Sequence, residues 1–395
     1  MHFIKSYKNT IIYIATILFS IVFIIAGYNI NKTNFNDESY QKSYKAQVIS
    51  IEDKKVETLD YGYESMSSTT IKFKAKISDD DIEESTIEAI QYIDENIAVN
   101  PKEIEPGDNI LLSSLLSRTG EEEVWTFIEY DRSNILIWLL ISFFVLLIIF
   151  GHKKGVNTII SLIFTCLAIF MVFVPSILKG NNIYLNSTIV SIFIIFMNLL
   201  IINGANKKTL CAIIGNLGGL FIAGLFALII SKFLHLTGLI DEESMFLLMI
   251  NPDKPIDLIA ILWSSIVIGS LGAVMDVSMS IASAMNELSE NMINKNFKTM
   301  LKSGLNIGQD AIGTMTNTLI LAYIGSSLSV VLLLVVNYKD ILLLFNLEMI
   351  VFEVMQAIIG SMGILFAIPI TSFFAAYVYN HNNKNFILSE NELKK

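Results

Sequence analysis

The sequence predicts an α-helical polytopic membrane protein with about eight transmembrane helices and an inserted, extracytoplasmic small β-domain, an OB- or SH3-like barrel. Of its 395 residues, 53% are hydrophobic and only 16% are charged, whereas an ordinary soluble domain has roughly 25% charged residues. Long apolar runs recur along most of the chain, and one hydrophilic block at residues 30–133 interrupts them. This arrangement is typical of a bundle of membrane spans that carries one water-soluble domain.

The first segment, residues 1–29, is predicted to be an N-terminal transmembrane anchor. Residues 10–28 are mostly apolar, and at 1.5 Å per residue they would reach about 28 Å, close to the thickness of the hydrocarbon core. Lys5 and Lys8 precede this run. A signal peptide is the alternative, but the small residues that cleavage requires are poorly placed after the run, so we expect the anchor to remain.

The hydrophilic block at residues 30–133 has the periodicity of β-strands. Apolar and polar side chains alternate along several stretches, and the turn signal Glu105–Asp108 precedes one more. Because such alternation is typical of strands with one buried face, we expect a small, mostly antiparallel barrel. The predicted strands lie near Tyr44–Ile51, Thr69–Ile77, Thr86–Ile93, Asn109–Ser113 and Val124–Ile128.

The charge of this block restricts its partners. Residues 30–133 contain 23 acidic and 11 basic residues, a net charge of −12, whereas the net charge of the whole chain is −10. Nucleic-acid binding needs a basic surface, so we expect no nucleic acid partner. The acidic runs Asp79–Asp81 and Glu121–Glu123 are expected to be solvated loops, with cation binding as the alternative.

Residues 134–380 are predicted to form a seven-helix transmembrane domain, and residues 381–395 a cytoplasmic tail. Each apolar run of this domain is long enough for one crossing. Between the runs, Ser244–Ile250 and Ile341–Ile350 are too short to span and suit interfacial or re-entrant pieces. The predicted spans are residues 134–150, 157–177, 187–203, 209–231, 257–275, 310–336 and 353–379.

Lysines in the short loops indicate the orientation of the spans. If eight spans alternate, the lysines near both termini and those at 153–154, 207–208 and 295–302 all fall on one side of the membrane. Short basic loops stay in the cytoplasm. We therefore expect a multi-pass protein of the bacterial plasma membrane, with both termini cytoplasmic and residues 30–133 extracytoplasmic.

Polar side chains recur at helical spacing within the late apolar runs. A carboxylate at the bilayer centre costs roughly 2.5–3.5 kcal/mol on insertion scales, so we expect each one to be paired, hydrated or in use. The structural alternative is a bundle that is held together by interhelical hydrogen bonds. The candidate residues of an ion or solute path are Asp276, Ser280, Ser283, Asp310, Thr314, Asn317, Glu353 and Gln356.

The connection between the first two carboxylates is expected to be helical but too polar to lie in lipid. Charged residues crowd the stretch 287–302, so the preceding helix should continue, or break near Gly272, into a cytoplasmic segment that turns at 294–296. This geometry would bring Asp276 and Asp310 to the same inner half of the bilayer. We hypothesise that the pair forms an inner ion site, because two close carboxylates do not both ionise easily.

Motifs of several enzyme classes are missing from the sequence. It contains no HExxH zinc motif, no GxxxxGK[ST] phosphate loop and no GxSxG elbow,. Asp276 and Asp310 could supply the two carboxylates of an intramembrane aspartyl protease, but the GxGD signature of such proteases is absent before Asp310. Cys166 and Cys211 both lie in apolar runs and offer no disulfide or metal framework. We expect no enzymatic activity and no cofactor, and the sequence names no metal.

Two sequence blocks resemble the YibE/F family of bacterial multi-pass membrane proteins. Gly272–Met285 reads GAVMDVSMSIASAM and Gly313–Gly325 reads GTMTNTLILAYIG, and Gly360–Gly363 with Pro369–Thr371 follow in order. The resemblance extends over most of the chain, including the β-domain. It implies a plasma-membrane protein of a family described as uncharacterised or as permeases, and it gives no substrate.

These expectations favour a permease that moves an ion or small polar solute past intramembrane carboxylates. It would not be driven by ATP on its own, because the sequence contains no nucleotide loop. The alternative is an envelope scaffold or assembly factor that binds a protein or wall component through the β-domain. The expected partners are the lipid bilayer and a small solute or ion, and for the alternative an envelope protein.

Overall fold

The structure is a computed structural model that divides the chain into two units by its contacts. One unit is Asn34–Leu146, and the other combines Met1–Thr33 with Leu147–Lys395. The acidic run Asp79–Asp81, most of Glu121–Glu123 and most of the predicted turn at 294–296 lie outside the residues that the structure describes. Those residues are 2–32, 42–60, 65–77, 85–94, 102–116, 123–250, 255–292, 296–337 and 339–393.

The Asn34–Leu146 unit contains five strands: β1 (Ser43–Asp60), β2 (Ser65–Ile77), β3 (Thr86–Asp94), β4 (Asn109–Leu116) and β5 (Glu123–Tyr130). They form one sheet that closes on itself in the order β1-β2-β3-β5-β4. The pair β3–β5 is parallel, and the other neighbouring pairs are antiparallel. Each predicted strand stretch lies within an observed strand.

An apolar interior holds this sheet together. The long β1–β2 pairing begins with Ala46 opposite Ile77, and both side chains are buried. Phe73 and Ala75 are 0% exposed, as are Ile110 and Leu112 on β4. Because side chains alternate between the two faces of a strand, the register that buries one of them buries the whole inward set.

The unit that combines Met1–Thr33 with Leu147–Lys395 is helical, and the first turns of the helix Ser133–Leu167 lie in the other unit. The helices are numbered in chain order. Residues Ala168–Phe173 form a π-helical turn between the second and third helices. Asn182, Asn206 and Asp257 each cap a following helix, because their side chains accept a hydrogen bond from a backbone N–H of its first turn,. The helices are α1 His2–Asn31, α2 Ser133–Leu167, α3 Val174–Leu178, α4 Ile183–Asn203, α5 Lys207–Phe233, α6 Glu242–Met249, α7 Leu258–Asn291, α8 Phe297–Ser326, α9 Leu328–Asn337, α10 Ile341–Leu344 and α11 Glu348–Leu393.

The number of membrane spans differs from the prediction. Among the described residues, six helices are long and apolar enough to cross a membrane, or seven if the bent pair α8–α9 is one span. This count is lower than the expected count of about eight. The difference arises at Ser133–Leu178, because the predicted spans 134–150 and 157–177 both belong to this single helical stretch.

His152 marks a sharp bend inside that stretch. Its backbone leaves the helical region, with φ 49° and ψ −127°. A β-carbon built on Gly155 would lie 2.0 Å from the carbonyl oxygen of Leu147, whereas residues eight apart in a straight helix are separated by about 12 Å along the axis. The helix thus resumes directly after His152, and the loop that the sequence suggested near residues 151–156 does not form.

The connection between the two central faces is helical, as predicted. The helix α7 runs without interruption through Gly272, so the alternative of a break there is wrong. At its far end α8 stops at Ser326, and α9 leaves at 61° to it. The predicted span 310–336 is therefore broken. The last helix, α11, continues to Leu393 and makes most of the predicted tail at 381–395 helical.

Small residues let α5, α7 and α11 cross at close range. A β-carbon on Gly219 would lie 2.7 Å from the carbonyl oxygen of Gly363 and 3.0 Å from Val274 Cγ1. A β-carbon on Gly363 would in turn lie 3.3 Å from the Ala223 side chain. Such close approach is how membrane helices gain packing energy without a hydrophobic driving force. This crossing forms the centre of the helical unit.

Candidate functional site

The predicted polar face of α7 points away from the helical core. Val277 and Ile281 are 0% exposed on the buried side, whereas Asp276 and Ser280 are exposed and Ser283 is half-buried. The helix α7 is therefore amphipathic, because one side packs against neighbouring helices and the other side is exposed. Asp276 and Ser280 therefore lie on the surface of this chain.

The predicted face of α8 is also exposed. Asp310, Thr314 and Asn317 all lie on the outer side of the helix. The opposite side carries Gly304 and Gly308, which are buried. Because a β-carbon on Gly308 would lie 2.1 Å from a methyl carbon of a neighbouring isoleucine on α11, this side lies directly against α11, and the polar side faces away from it.

Two contacts fix the register between α7 and α8. A β-carbon on Gly269 would lie 2.6 Å from the Tyr323 hydroxyl, and one on Gly304 would lie 2.8 Å from Met285 Sδ. The helices are therefore antiparallel neighbours. By this register, Asp276 falls near the level of Thr314 on α8.

Asp276 and Asp310 lie at similar positions along the helix axes, but Asp310 faces away from α7. The register places them about 6 Å apart along the helix axis, and Asp310 is about 140° around α8 from Tyr323, which marks the side that contacts α7. No hydrogen bond or ion pair joins the two carboxylates in the described part of the chain. Their shared inner ion site remains a hypothesis.

Glu353 and Gln356 occupy a more enclosed position, where α7, α8 and α11 meet. Both side chains are half-buried, and the amide nitrogen of Gln356 would lie 3.5 Å from a β-carbon on Gly269, beside the Tyr323 hydroxyl. That hydroxyl is buried and has no hydrogen bond of good geometry among the described residues, although the Gln356 side chain lies close enough to interact with it. The Glu353 carboxylate is close enough to interact with it electrostatically.

Tyr323 was not among the predicted site residues. It lies in the last turn of α8, where its carbonyl oxygen accepts hydrogen bonds from the hydroxyls of Ser326 and Ser327, at 2.8 and 2.7 Å. These bonds hold the chain at the point where α8 ends and α9 begins. A tyrosine next to a pair of serines within an apolar run was the available signal, but it reads equally well as an ordinary interfacial residue.

Sequence reasoning also missed a buried polar cluster at the crossing of α5, α7 and α11. Asn216, Ser278 and Thr371 are each 0% exposed. A β-carbon on Gly215 would lie 1.8 Å from Thr371 Oγ1 and 3.2 Å from Ser278 Oγ. Neither the Asn216 amide nor the Ser278 hydroxyl has a hydrogen-bond partner among the described residues. The lone asparagine in the apolar run 209–231 was the signal that could have found this cluster.

The described residues contain no candidate metal centre, and a large apolar groove lies apart from the predicted residues. Within the described ranges, no group of three or more His, Cys, Asp or Glu side chains is arranged to hold a metal ion. A groove of about 700 Å³ lies between α4, α5, α7 and α11, and its lining includes Phe221, Trp263 and Phe374 but none of the predicted site residues. Such an apolar lining lacks the polar groups that orient a hydrophilic ligand.

Comparison with known proteins identifies the protein family of this chain. The YibE/F-like protein family matches residues 139–381, which is more than half of the chain and includes α4 to α8 and most of α11. No curated protein and no solved structure matches the chain. The matched region contains every predicted site residue and the helices that could cross a membrane beyond the β-sheet unit. The chain is a membrane protein that belongs to the YibE/F-like family.

Proposed function

We propose that the protein is a membrane permease, through which an ion or small polar solute crosses the bilayer. The observation that carries the proposal is a set of unpaired carboxylates in its spanning helices. Asp276, Asp310 and Glu353 make no ion pair and no hydrogen bond with any residue that the structure describes. If these side chains served only to hold the bundle together, they would have partners on neighbouring helices.

Asp276 and Glu353 lie at different depths of the bundle. Asp276 is about 27 Å along α7, whereas Glu353 is only about 8 Å along α11. The two helices run in the same direction, because a β-carbon on Gly360 of α11 would lie 3.5 Å from Ser270 of α7, and Gly363 packs on Val274 one turn further along both helices. Negative charge at two depths of a path favours cations over anions.

Neutral polar groups support the same proposal in the centre of the bundle. The unpaired amide of Asn216 and hydroxyl of Ser278 are fully buried. An unpaired buried polar group costs roughly 1–3 kcal/mol, so a role besides packing is the simplest reason to keep two of them together. Residues of this kind line the polar routes of membrane transporters.

The location and orientation are part of this proposal. Lys207 and Lys208 begin α5, and Lys298 and Lys302 lie in the first turns of α8. The positive-inside rule assigns these ends to the cytoplasm. This places both termini on the same side and the β-sheet unit outside a bacterial plasma membrane, provided that the 46-residue stretch Ser133–Leu178 crosses twice, once on each side of the bend at His152. Since the sequence has no phosphate loop, the driving force would be a gradient or a partner protein.

A second candidate is an envelope scaffold that binds a protein or a wall component through the β-sheet unit. Its support is a set of exposed apolar side chains on the strands. Tyr92 is 68% exposed, Val56 is 56% exposed and Ile49 is 48% exposed. Such side chains would supply contact area to a partner.

Flux into sealed proteoliposomes distinguishes the two candidates. The purified full chain would be reconstituted and tested with a panel of inorganic cations, organic amines and organic anions, with protein-free vesicles as the baseline. The permease predicts flux of at least one cation that falls in the Asp310→Asn variant. Baseline flux for the whole panel, together with capture of a specific envelope partner by the β-sheet unit, would favour the scaffold.

A further inference from the structure

The meeting point of α7, α8 and α11 brings polar groups together at two glycines. A β-carbon on Gly269 would lie 2.6 Å from the Tyr323 hydroxyl, and one on Gly360 would lie 3.8 Å from the same ring, so both glycines let the tyrosine pack closely against α7 and α11. The Gly269 backbone is exposed. The site is therefore shaped by two glycines and opens to the surface of the chain along α7.

The Tyr323 hydroxyl at this point is buried and has no hydrogen bond of good geometry among the described residues. The Gln356 side chain is the neighbouring polar group that lies close enough to interact with it. A buried hydroxyl without a hydrogen bond costs roughly 1–3 kcal/mol. Its oxygen retains two lone pairs that a ligand could use.

The local charge is negative. Glu353 lies one turn before Gln356 on the same side of α11, and its carboxylate acts electrostatically on the Tyr323 hydroxyl. No described lysine or arginine pairs with it, and Lys298 and Lys302 lie at the opposite end of α8. The C-terminal end of α8 adds a further partial negative charge.

The break between α8 and α9 falls at the same place. Tyr323 is in the last turn of α8, and the chain turns by 61° within the next few residues. In membrane transporters, the ends of interrupted helices coordinate ions at the point where the backbone leaves the helix. The break is therefore a second observation, independent of the side chains, that indicates an ion site.

From these observations we propose that Glu353, Tyr323 and Gln356 form a binding site for a monovalent cation at the α8–α9 break. One carboxylate balances one positive charge, and the phenol oxygen supplies a neutral ligand for sodium, potassium or a protonated amine. The Gln356 amide, whose nitrogen is the atom placed beside the phenol, supplies its oxygen as a further ligand once it is flipped by 180°. The proposal rests on the permease function and gives it a ligand class, a cation, and an entry site distinct from Asp276 and Asp310.

Cation binding can be tested without measuring transport. The midpoint of thermal unfolding of the purified full chain would be followed while choline chloride is replaced by sodium, potassium or methylammonium chloride at constant ionic strength. A ligand that binds only the folded state raises this midpoint in a saturable way, here by about 2 °C or more. We expect one of the three cations to do so, and the identity of that cation distinguishes an inorganic ion from an amine.

Matched variants assign the effect to the site. Glu353→Gln should abolish the cation-dependent rise, and Tyr323→Phe, which keeps the shape of the ring, should raise the concentration at half-effect about tenfold, as expected for one lost ligand. Glu287→Gln makes the same chemical change at an exposed position near the other end of α7 and should leave the rise intact. A rise that persists in both Glu353→Gln and Tyr323→Phe would overturn the site.

The outcomes also separate this site from the proposed function. A saturable rise that Glu353→Gln removes, without any flux in proteoliposomes, would support the site and contradict the permease. Flux of a cation with no saturable rise for any of the three would contradict the site and leave the permease standing. An equal rise with choline would be a general salt effect and would also contradict the site.

Discussion

Gly215 and Thr371 are in direct contact at the crossing of α5 and α11, so that a β-carbon at position 215 would stand 1.8 Å from Thr371 Oγ1. The Thr371 hydroxyl donates a hydrogen bond to the carbonyl oxygen of Ala367 at 2.7 Å and cannot turn away without losing it. The Gly215→Ala variant should therefore force the helices apart. We expect a loss of about 1–3 kcal/mol in stability, seen as a lower thermal unfolding midpoint in detergent.

A matched control for this substitution lies on the exposed face of α8. Nothing lies within 4 Å of a β-carbon built on Gly313, so Gly313→Ala should be neutral or slightly stabilising, because alanine is the better helix former. The double variant Gly215→Ala with Thr371→Ala should recover part of the loss, since it removes the clashing oxygen. Equal effects of Gly215→Ala and Gly313→Ala would contradict the close contact.

A substitution of Asn216, at the crossing of α5, α7 and α11, can distinguish an effect on stability from an effect on function. Its amide is 0% exposed and unpaired among the described residues, so Asn216→Leu removes an unsatisfied polar group at similar volume. We expect the unfolding midpoint to stay or rise while cation flux falls at least about tenfold. A lower midpoint with unchanged flux would show that the amide has a structural partner and no part in the path.

Asn198 on α4 provides the comparison for that variant. It is half-buried, and its amide nitrogen donates a hydrogen bond to Thr165 Oγ1 at 3.3 Å. Asn198→Leu should therefore reduce the free energy of unfolding by about 1 kcal/mol, which lowers the unfolding midpoint. The variant should have little effect on cation flux. The same substitution is therefore expected to lower flux but not stability at Asn216, and stability but not flux at Asn198.

The strands and most helices could be predicted from the sequence because their periodicity is local. Alternation along Thr69–Ile77 reflects a strand with one buried face, and the predicted stretch lies within β2. The helical stretch around His152 could not be predicted, because the charged residues there read as a loop. Whether a chain bends sharply at one residue depends on backbone torsions that composition does not encode.

The candidate site was predicted by residue type rather than by position in space. Asp276 and Asp310 were chosen because carboxylates are rare at membrane depth, but rarity does not tell which way a side chain faces. Both are exposed on this chain. Asn216 and Tyr323 were not predicted, because a single polar residue in an apolar run is most simply interpreted as part of the packing. Only the structure shows that three helices meet around each of them.

The barrel should lose stability at low pH through Asp131. Hydrogen bonds from the Ser133 hydroxyl and backbone N–H, and then the Lys45 ammonium at 3.0 Å, hold the pKa of the Asp131 carboxyl below its usual range. A lowered pKa means that the carboxylate form is favoured by folding, so this stabilisation is present above the ordinary pKa of about 3.9 and is lost as the pH falls through the folded value.

The Asp131→Asn variant tests this link by hydrogen exchange of the strand amides in the full chain. It should weaken protection at pH 7 by about 1 kcal/mol, and the difference from wild type should shrink as the pH falls toward about 3. Asp53→Asn removes one partner of an exposed pair with Lys55 at 3.8 Å and should have a smaller effect. A difference at Asp131 that does not change with pH would contradict the assignment.

The orientation of the chain can be tested with single cysteines in a variant that lacks Cys166 and Cys211. Tyr92→Cys places a thiol at an exposed strand position, and Lys298→Cys places one at an exposed position near the start of α8. If the short-loop lysines are cytoplasmic, an impermeant thiol reagent should label position 92 in intact spheroplasts and position 298 only after lysis. The reverse pattern would invert the proposed topology.

Asp276 and Asp310 can each be replaced by asparagine to separate a role in transport from a role in packing. Because neither carboxylate has a partner among the described residues, Asp276→Asn and Asp310→Asn should leave the amount of protein in the membrane and its unfolding midpoint unchanged or higher, since removing an unpaired charge at membrane depth saves insertion energy. Flux should nevertheless fall at least about tenfold in each. If both variants instead disappear from the membrane, the carboxylates hold the bundle together and the permease loses its main support.

The double variant decides whether the two carboxylates act as one site. Residues that share an ion give non-additive effects, so Asp276→Asn with Asp310→Asn should then be about as impaired as either single variant. Asp310 lies about 140° around α8 from the side that contacts α7, which favours two independent positions along a path. We therefore expect the flux losses of the two single variants to multiply in the double variant, and equal losses in all three would restore the shared inner site.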